Sequence, residues 1–362
     1  SSEPVASAAR FKEDLIKYGM APENISVVRL AVKDDRSTDD IDESSWRGNA
    51  DNLHEIEKIS SAGAIWITGG DQLRLTNMLI DEDGADSPML TALRARLSEG
   101  AVVGGTSAGA AIMSRLMIAG GDSLAALTEP VTPIGAPINE ETDGPGLLAA
   151  MGLGFLPLGV VDQHFDQRAR LGRLARAISL VNADQRVGIG VDEDTAFVVD
   201  LSDMTARVVG TASVTIIDGR DAKFSGSKSF SAQDVGLHVL SDGDEIALSS
   251  FHLTPSAYKK PTVGDEYYAA EVQSGGGVAI PYAGIGAMLG SQLLDNKHGK
   301  KLSAVSFRED GRGVRYVFVQ DRAARGYWGR DASHEGRYTI DDVKFSISPV
   351  TIEISPVNDE VE

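Results

Sequence analysis

A glycine-rich motif around one serine has the composition expected at a nucleophile. It reads Gly104-Gly105-Thr106-Ser107-Ala108-Gly109-Ala110 and contains the pattern Gly-x-Ser-x-Gly. The pattern predicts a strand at 101–103 before it and a helix at 108–117 after it. In such a turn the serine hydroxyl projects from the sheet edge, where backbone N–H groups can stabilise an oxyanion. The alternative is a serine that only caps the helix; the strand–turn–helix context favours the nucleophile.

A serine nucleophile needs a general base, and the chain has six histidines. His164 is preferred because it follows a predicted strand at 158–161, and sites in parallel sheets collect at the carboxyl ends of strands. The orienting carboxylate stays open among Asp192, Glu193 and Asp194, which follow a predicted strand at 187–191. A structural histidine beside an ordinary acidic turn is the alternative. In α/β-hydrolases the acid precedes the histidine, so an esterase of that fold is only the runner-up.

Four arginines follow His164 at close spacing: Arg168, Arg170, Arg173 and Arg176. The apolar residues among them have helical spacing, which predicts a helix at 166–180 with the arginines on its polar side. A solvated helix face is one explanation. Few acidic residues are placed to pair with them, however, and a planar guanidinium binds carboxylates through two hydrogen bonds. We therefore expect these arginines to recognise substrate carboxylates.

The elements around these residues predict an α/β fold with a layered parallel sheet and a β-rich C-terminal extension. Strands are predicted at 26–30, 64–67, 101–103, 158–161 and 187–191, and helices at 11–18, 46–59, 72–80, 89–97, 108–117 and 166–180. From residue 196 the pattern changes to β-hairpins. The segment Lys259-Lys260-Pro261 resembles a linker. We expect one domain over 1–257 and an extension over 258–362, with strands at 303–307, 314–319 and 345–354.

Composition excludes several classes of protein. The chain has 362 residues, with 34 basic and 53 acidic side chains and a net charge of −19. Such acidity disfavours binding to nucleic acid or anionic membranes. It would favour a cationic substrate, although acidity that simply keeps the protein soluble explains the charge equally well. Cysteine is absent, which excludes disulfides, thiolate catalysis and cysteine zinc sites. The chain begins without Met, which is compatible with a cleaved export signal; a secreted or periplasmic location is therefore favoured over a cytoplasmic one.

Several motifs together resemble cyanophycinase, a family of serine peptidases related to aspartyl dipeptidase. They are Thr68-Gly69-Gly70-Asp71-Gln72, Gly105-Thr106-Ser107-Ala108-Gly109-Ala110, Asp162-Gln163-His164-Phe165 with the spaced arginines, and Gly190-Val191-Asp192-Glu193-Asp194-Thr195-Ala196. The Asp-Gln-His-Phe segment distinguishes this family from the related dipeptidases. The resemblance covers residues 1 to about 257 and does not address 258–362. The strands with which family members usually begin are missing here.

The resemblance implies a fold similar to class I glutamine amidotransferases and the flavodoxin-like proteins. It implies Ser107 as nucleophile, His164 as general base and Glu193 as the orienting acid. Backbone groups of Gly70, Asp71 and Ala108 would form the oxyanion hole. The implied substrate-binding residues are Gln72, Asp162, Gln163, Arg168, Arg170 and Arg173.

The implied substrate is cyanophycin, a polyaspartate with an arginine amide-linked to each side-chain carboxylate, and the product is the β-Asp-Arg dipeptide. A homodimer without cofactor or metal is also implied. Two other functions remain open: a dipeptidase for short aspartyl or isoaspartyl peptides, and a non-catalytic binding module on the same fold. Turnover of the polymer would distinguish the first from cyanophycinase, and covalent labelling of the serine would exclude the second.

Overall fold

The computed structural model describes residues 3–81, 83–132, 146–275 and 284–353. The chain forms two compact units. The first contains Ser1–Ala119 and Ala150–Pro157, and the second contains Gly120–Ala149 and Leu158–Glu362. The predicted boundary after residue 257 falls inside the second unit.

The first unit begins with helices and contains a short parallel sheet. Its helices are α1 (Pro4–Lys17), α2 (Leu53–Ser60), α3 (Gln72–Leu79), α4 (Pro88–Ser98) and α5 (Ala108–Ala111), with 3₁₀ segments at Pro22–Asn24 and Glu43–Asp51. Strands β1 (Ala64–Ile67) and β2 (Val102–Gly105) pair in parallel, so that their carboxyl ends lie side by side. Side-chain caps at Asn52, Asp71 and Ser87 fix the starts of α2, α3 and α4.

Three predicted elements of this unit are wrong or too long. Residues 26–30 are not a strand, because their backbone bonds to side chains: Arg29 N–H donates to Glu55, and Lys58 donates to the Val27 carbonyl. The helix predicted at 46–59 is a 3₁₀ segment followed by α2, interrupted at Asn52. The helix predicted at 108–117 ends at Ala111, and strand β3 (Leu116–Gly120) follows it.

The second unit contains most of the β-structure. Its helices are α6 (Ser123–Thr128), α7 (Leu171–Ile178) and α8 (Ile285–Leu289). Its strands follow β4 (Leu148–Met151): β5 (Val160–Gln163), β6 (Val187–Val191), β7 (Thr195–Asp200), β8 (Thr205–Gly210), β9 (Ser213–Asp218), β10 (Lys223–Ser225), β11 (Ser231–Ser241), β12 (Glu245–Ala247), β13 (His252–Thr254), β14 (Lys260–Pro261), β15 (Lys301–Phe307), β16 (Arg312–Val319), β17 (Arg325–Arg330) and β18 (Gly336–Thr351).

One large sheet organises this unit, with the order β14-β17-β18-β11-β9-β6-β5. Strands β5 and β6 are parallel, and the strands from β9 to β14 along this order are antiparallel. Strands β7, β8, β12 and β13 form a second antiparallel sheet. The predicted α/β class with parallel strand pairs and a β-rich C-terminal region is confirmed.

The strands after residue 258 are hydrogen-bonded into the large sheet. Strand β18 pairs with β11 on one edge and with β16 and β17 on the other. The predicted linker is wrong, because Lys259 is buried and Lys260–Pro261 forms β14. The ammonium of Lys259 lies 2.7 Å from each carboxylate oxygen of Asp244, and both side chains are fully buried. The predicted strands at 303–307 and 314–319 are confirmed; residue 354 lies outside the described residues.

Helices in the described part of the chain are too short or too polar to cross a bilayer. The longest, α1, has 14 residues, whereas a membrane span needs about 20.

Candidate functional site

Ser107 lies in the turn between β2 and α5, in a backbone conformation that L-residues rarely adopt. Its φ is +55° and its ψ is −113°. A non-glycine residue in this region carries strain that the surrounding structure must hold. Gly109 shows how the turn is held, since a Cβ at this position would lie 2.1 Å from the Ile67 carbonyl oxygen. Within the described residues Ser107 makes no side-chain capping bond to α5, which disfavours the capping explanation of the motif.

The predicted oxyanion residues lie at the starts of helices. Ala108 is the first residue of α5, and Asp71 is the N-cap of α3, directly after Gly70. Backbone N–H groups at a helix start have no acceptor within their own helix, so they are suited to bind negative charge. The Asp71 carboxylate is already engaged, since it accepts the N–H groups of Leu73 and Arg74. Only the backbone of Asp71 therefore suits the predicted role.

Gln72, predicted to bind substrate, is tied to the first unit by its side chain. Its Nε2 donates to the carbonyls of Ile118 and Ala119, at 3.0 and 3.1 Å. These bonds fix the amide plane at the beginning of α3. The carboxamide oxygen therefore has a defined direction, which a substrate-binding role would require.

His164 and Glu193 come together at the carboxyl ends of two adjacent parallel strands. The register pairs Gln163 with Val191, and His164 directly follows β5 while Glu193 lies two residues beyond β6. The imidazole Nδ1 lies 2.7 Å from Oε1 of Glu193. A carboxylate at this position accepts a hydrogen bond from a protonated Nδ1, and in the neutral ring Nε2 is then the nitrogen without a hydrogen. The structure thus brings one of the three candidate carboxylates to the imidazole.

The segment that carries His164 is fixed by a buried aromatic ring. Phe165 is fully buried, and its ring packs against Gly190, where a Cβ would lie 2.4 Å from the ring carbons. Its N–H donates to the carbonyl of Val191. His164 itself has a φ of +45°, which turns the chain sharply at the end of β5.

The other two acidic residues of the turn have different environments. Asp192 accepts the N–H of Asp166 at 2.9 Å and the N–H of Ser213 at 3.1 Å. Burial raises the pKa of Asp192 to about 6, and the nearby negative charges of Asp166 and Glu193 act in the same direction. Asp194 has an exposed side chain and a φ of +52°. Neither is the carboxylate that contacts His164.

The predicted arginine cluster lies on a shorter helix than expected and is largely buried. Helix α7 covers Leu171–Ile178, so Arg168 and Arg170 precede it. Arg173 binds Asp162 with both arms of its guanidinium, at 2.7 Å from Nε to Oδ2 and 2.6 Å from Nη2 to Oδ1. The side chain of Asp162 is 1% exposed and that of Arg173 is 7% exposed. The guanidinium fork expected to bind substrate is therefore occupied by a carboxylate of the protein.

Arg170 and Arg176 are also engaged by the protein. Arg170 donates to the backbone carbonyl of Gln163 and lies 3.5 Å from Asp162. Burial lowers the pKa of Arg170 to about 10, although the charge of Asp162 opposes this shift. Arg176 donates to the carbonyls of Gly226 and Ser227. The alternative explanation, a solvated helix face, is wrong for Arg173 and Arg176, because every residue of α7 is buried.

Two predicted substrate-binding residues remain open to a ligand. Arg168 has an exposed side chain. Gln163 is 9% exposed, and its Oε1 has no hydrogen-bond donor among the described residues. A buried acceptor without a donor is costly, so a donor brought by a ligand would stabilise it.

Two residues beside His164 were not singled out from the sequence. Gln167 accepts the N–H of Glu193 through Oε1 at 3.1 Å. Asp166 accepts the N–H of Gly284, at the start of α8, at 3.0 Å. Both contacts join segments that are distant along the chain, and no local pattern signals them.

Comparison with known proteins confirms the resemblance drawn from the motifs. Residues 40–207 match the family model of Peptidase family S51. A cyanophycinase of Geminocystis herdmanii is 40% identical over 195 residues, 52% of this chain and 63% of the relative. Cyanophycinases of Thermosynechococcus vestitus (39% identical, covering 55% of this chain and 56% of the relative) and Trichormus variabilis (35%, covering 56% and 62%) are also similar. The chain spans less than two thirds of the length of these relatives.

Proposed function

We propose that this chain is a serine-type hydrolase that degrades cyanophycin to β-Asp-Arg dipeptides. The observation that carries the proposal is the 2.7 Å contact between His164 and Glu193 at the ends of β5 and β6. An imidazole oriented by a carboxylate is the general base of the serine hydrolases. The match of residues 40–207 to Peptidase family S51, and the similarity to proteins named cyanophycinase, support the same class of reaction.

Ser107 is the proposed nucleophile. Its strained φ of +55° and the tight contact of Gly109 with the Ile67 carbonyl support a nucleophile elbow. In the first step Oγ attacks a backbone carbonyl carbon of the polyaspartate while Nε2 of His164 takes the hydroxyl proton. The carbonyl becomes a tetrahedral oxyanion, which backbone N–H groups of Gly70 or Asp71 and of Ala108 would stabilise.

The second half of the reaction returns the enzyme to its starting state. The imidazolium of His164 gives its proton to the leaving amine, the peptide bond breaks and an acyl ester remains on Ser107. Water then attacks the ester, and His164 takes a proton from the water and returns one to the serine oxygen. Throughout, Glu193 stabilises the positive charge on the imidazole and keeps Nε2 directed at the reacting atoms.

We assign recognition of the polymer to the exposed guanidinium of Arg168 and the amide oxygen of Gln163. Each repeat of cyanophycin carries a free carboxylate on its arginine and a guanidinium. Exposed Arg168 would bind the carboxylate, and the Oε1 of Gln163 would accept an N–H of the substrate. Arg170, Arg173 and Asp162 would support this surface from beneath through their own ion pairs. The net charge of −19 suits a substrate rich in guanidinium groups.

The resemblance also supports a homodimer and a reaction that uses only side chains and water. Light scattering of the purified chain tests the dimer. A molar mass near that of a single 38.3 kDa chain would contradict it.

Product analysis tests the proposed reaction. The purified chain is incubated with cyanophycin, and the soluble products are identified by mass spectrometry. We expect β-Asp-Arg dipeptide and little free arginine. Free arginine as the main product would show attack on the side-chain amide, and turnover of short aspartyl peptides without turnover of polymer would show a dipeptidase.

A variant pair tests the nucleophile in the same assay. Ser107→Ala should lose nearly all turnover and all labelling by a serine-directed fluorophosphonate, because no covalent intermediate can form. Ser98→Ala is the matched control, an exposed serine at the end of α4. Substantial residual turnover in Ser107→Ala would contradict the assignment of the nucleophile.

A further inference from the structure

Asp192 uses both of its carboxylate oxygens on backbone N–H groups from two other segments. Oδ1 accepts from Asp166, two residues after His164, at 2.9 Å, and Oδ2 accepts from Ser213, the first residue of β9, at 3.1 Å. The residue itself directly precedes Glu193. One side chain therefore ties together the loop that carries the candidate base, the turn that carries the orienting acid, and the neighbouring strand.

A second tie runs in the opposite direction between the same two segments. The N–H of Glu193 donates to Oε1 of Gln167, three residues after His164. Two hydrogen bonds of opposite direction thus join the His164 loop and the Glu193 turn. One runs from the Asp166 N–H to Asp192, and the other from the Glu193 N–H to Gln167. Asp192 and Gln167 accept backbone N–H groups of these segments, so both would act through backbone geometry.

We propose that Asp192, supported by Gln167, is a positioning residue that holds His164 and Glu193 in register. The inference rests on the proposed function for its catalytic consequence, but its geometric claim stands on the backbone contacts alone. An ionised carboxylate accepts both N–H groups strongly, whereas protonation turns one oxygen into a hydroxyl, which is a weaker acceptor and carries a donor of its own.

The surroundings of Asp192 make its charge sensitive to mild acid. The charged groups that face it are the carboxylates of Asp166, from the loop after β5, and of Glu193, from its own turn. Together with burial, they raise the pKa of Asp192 to about 6. Below this pH one of the two backbone N–H groups faces a hydroxyl, which is a weaker acceptor than a carboxylate oxygen. The contribution of Asp192 to catalysis should therefore be lost as the pH falls through about 6.

The test compares the full-length wild type with Asp192→Asn. The ratio of the wild-type kcat/KM to that of the variant should be at least about fivefold at pH 8 and should fall towards 1 below about pH 6. Protonation of Asp192 then gives the wild type the hydrogen-bonding pattern of the variant. At pH 8 kcat should fall at least about fivefold with KM little changed, because an asparagine can accept only one of the two N–H groups. A ratio that is the same at pH 8 and at pH 5, or equal kcat in the two proteins at pH 8, would overturn the inference.

Two controls separate positioning from loss of folding. Asp221→Asn removes an exposed carboxylate of the same unit and should keep the wild-type pH profile and kcat. Asparagine mimics the protonated aspartate that the folded wild type holds near pH 5, so the variant should fold. If its thermal unfolding shows otherwise, Gln167→Met tests the second tie, and an unchanged kcat in that variant would overturn the inference.

A substrate-free measurement distinguishes failure of this inference from failure of the proposed function. In proton NMR at pH 8, the Nδ1–H of His164 that is bonded to Glu193 should exchange with water at least about tenfold faster in Asp192→Asn than in the wild type. Equal exchange rates would overturn the inference. Absence of cyanophycin turnover by the wild type would contradict the proposed function instead, while the exchange rates would still decide the role of Asp192.

Discussion

Glu193 lies 2.7 Å from the Nδ1 of His164 although 29 residues separate them in sequence. The contact exists because β5 and β6 are adjacent parallel strands, so that the residues following each strand meet at one edge of the sheet. The side chain of Glu193 is 43% exposed, whereas that of His164 is 22% exposed. The carboxylate is therefore the more solvated partner, and its contribution should be smaller than that of a fully buried acid.

Glu193→Gln tests the orienting role of this carboxylate. We expect kcat for cyanophycin to fall by about 10²- to 10⁴-fold, because the amide cannot stabilise the imidazolium and an N–H facing Nδ1 selects the wrong tautomer. Steady-state release of β-Asp-Arg measures the effect. Asp221→Asn should remain within about twofold of the wild type, as surface substitutions generally do. An equally active Glu193→Gln would remove Glu193 from the assigned triad.

Arg173 and Arg168 should respond differently to loss of the guanidinium. Arg173→Lys leaves buried Asp162 with one hydrogen bond from residue 173 in place of two, and should lower the free energy of unfolding by about 1–3 kcal/mol. Arg168→Ala should leave that free energy within about 0.5 kcal/mol and raise KM for cyanophycin by about tenfold or more. Urea denaturation and steady-state kinetics measure the two effects. Raised KM without loss of stability in Arg173→Lys would instead make Arg173 a substrate-binding residue.

Gly109→Ala tests how tightly the Ser107 turn is packed. The new Cβ would lie 2.1 Å from the Ile67 carbonyl oxygen, so β1 and α5 would have to separate. We expect unfolding to become easier by about 1–3 kcal/mol or more, with loss of serine labelling by a fluorophosphonate. Gly63→Ala is the matched control, since its Cβ would meet no atom within 4 Å. Equal stability of the two variants would contradict the described turn.

Lys259→Met tests the buried ion pair that holds residue 259 in the second unit. The variant leaves Asp244 buried without its cation, and we expect a loss of about 3–5 kcal/mol in the free energy of unfolding. Lys260→Met, which changes an exposed neighbour, should have an effect within about 0.5 kcal/mol. Asp244→Asn combined with Lys259→Met should recover part of the loss, because no charge then remains unpaired. Additive losses in the double variant would contradict a direct pair.

Local patterns predicted the elements whose hydrogen bonds are local or whose strands are buried. Strand β1 matches the predicted bounds at 64–67, and β6 matches 187–191. The apolar runs of both strands and the glycine-rich turn at Ser107 are read directly from short segments. The segment at 26–30 has a strand-like pattern, but its backbone is bonded by the side chains of Asn49, Glu55 and Lys58.

Side-chain partners were harder to predict than elements, because a partner depends on how strands and loops meet. The sequence placed Asp162 and Arg173 in the same group of residues, but it could not show that they bind each other across 11 positions. Nor could it choose Glu193 over Asp192 from residue type. The choice depends on the direction in which each side chain of the turn points. The direction of the Asp192 side chain is set by its hydrogen bonds with the N–H groups of Asp166 and Ser213.

The pairing of β18 with β11 has a consequence for folding during synthesis. Strand β11 ends at Ser241, whereas β18 begins at Gly336. At roughly 5–20 residues per second, the ribosome needs about 5–20 s to deliver the partner strand. Until then the backbone N–H and C=O groups of β11 that pair with β18 lack this partner, and they can pair with another nascent chain. Yields of folded protein should therefore depend on the rate of translation across residues 242–335.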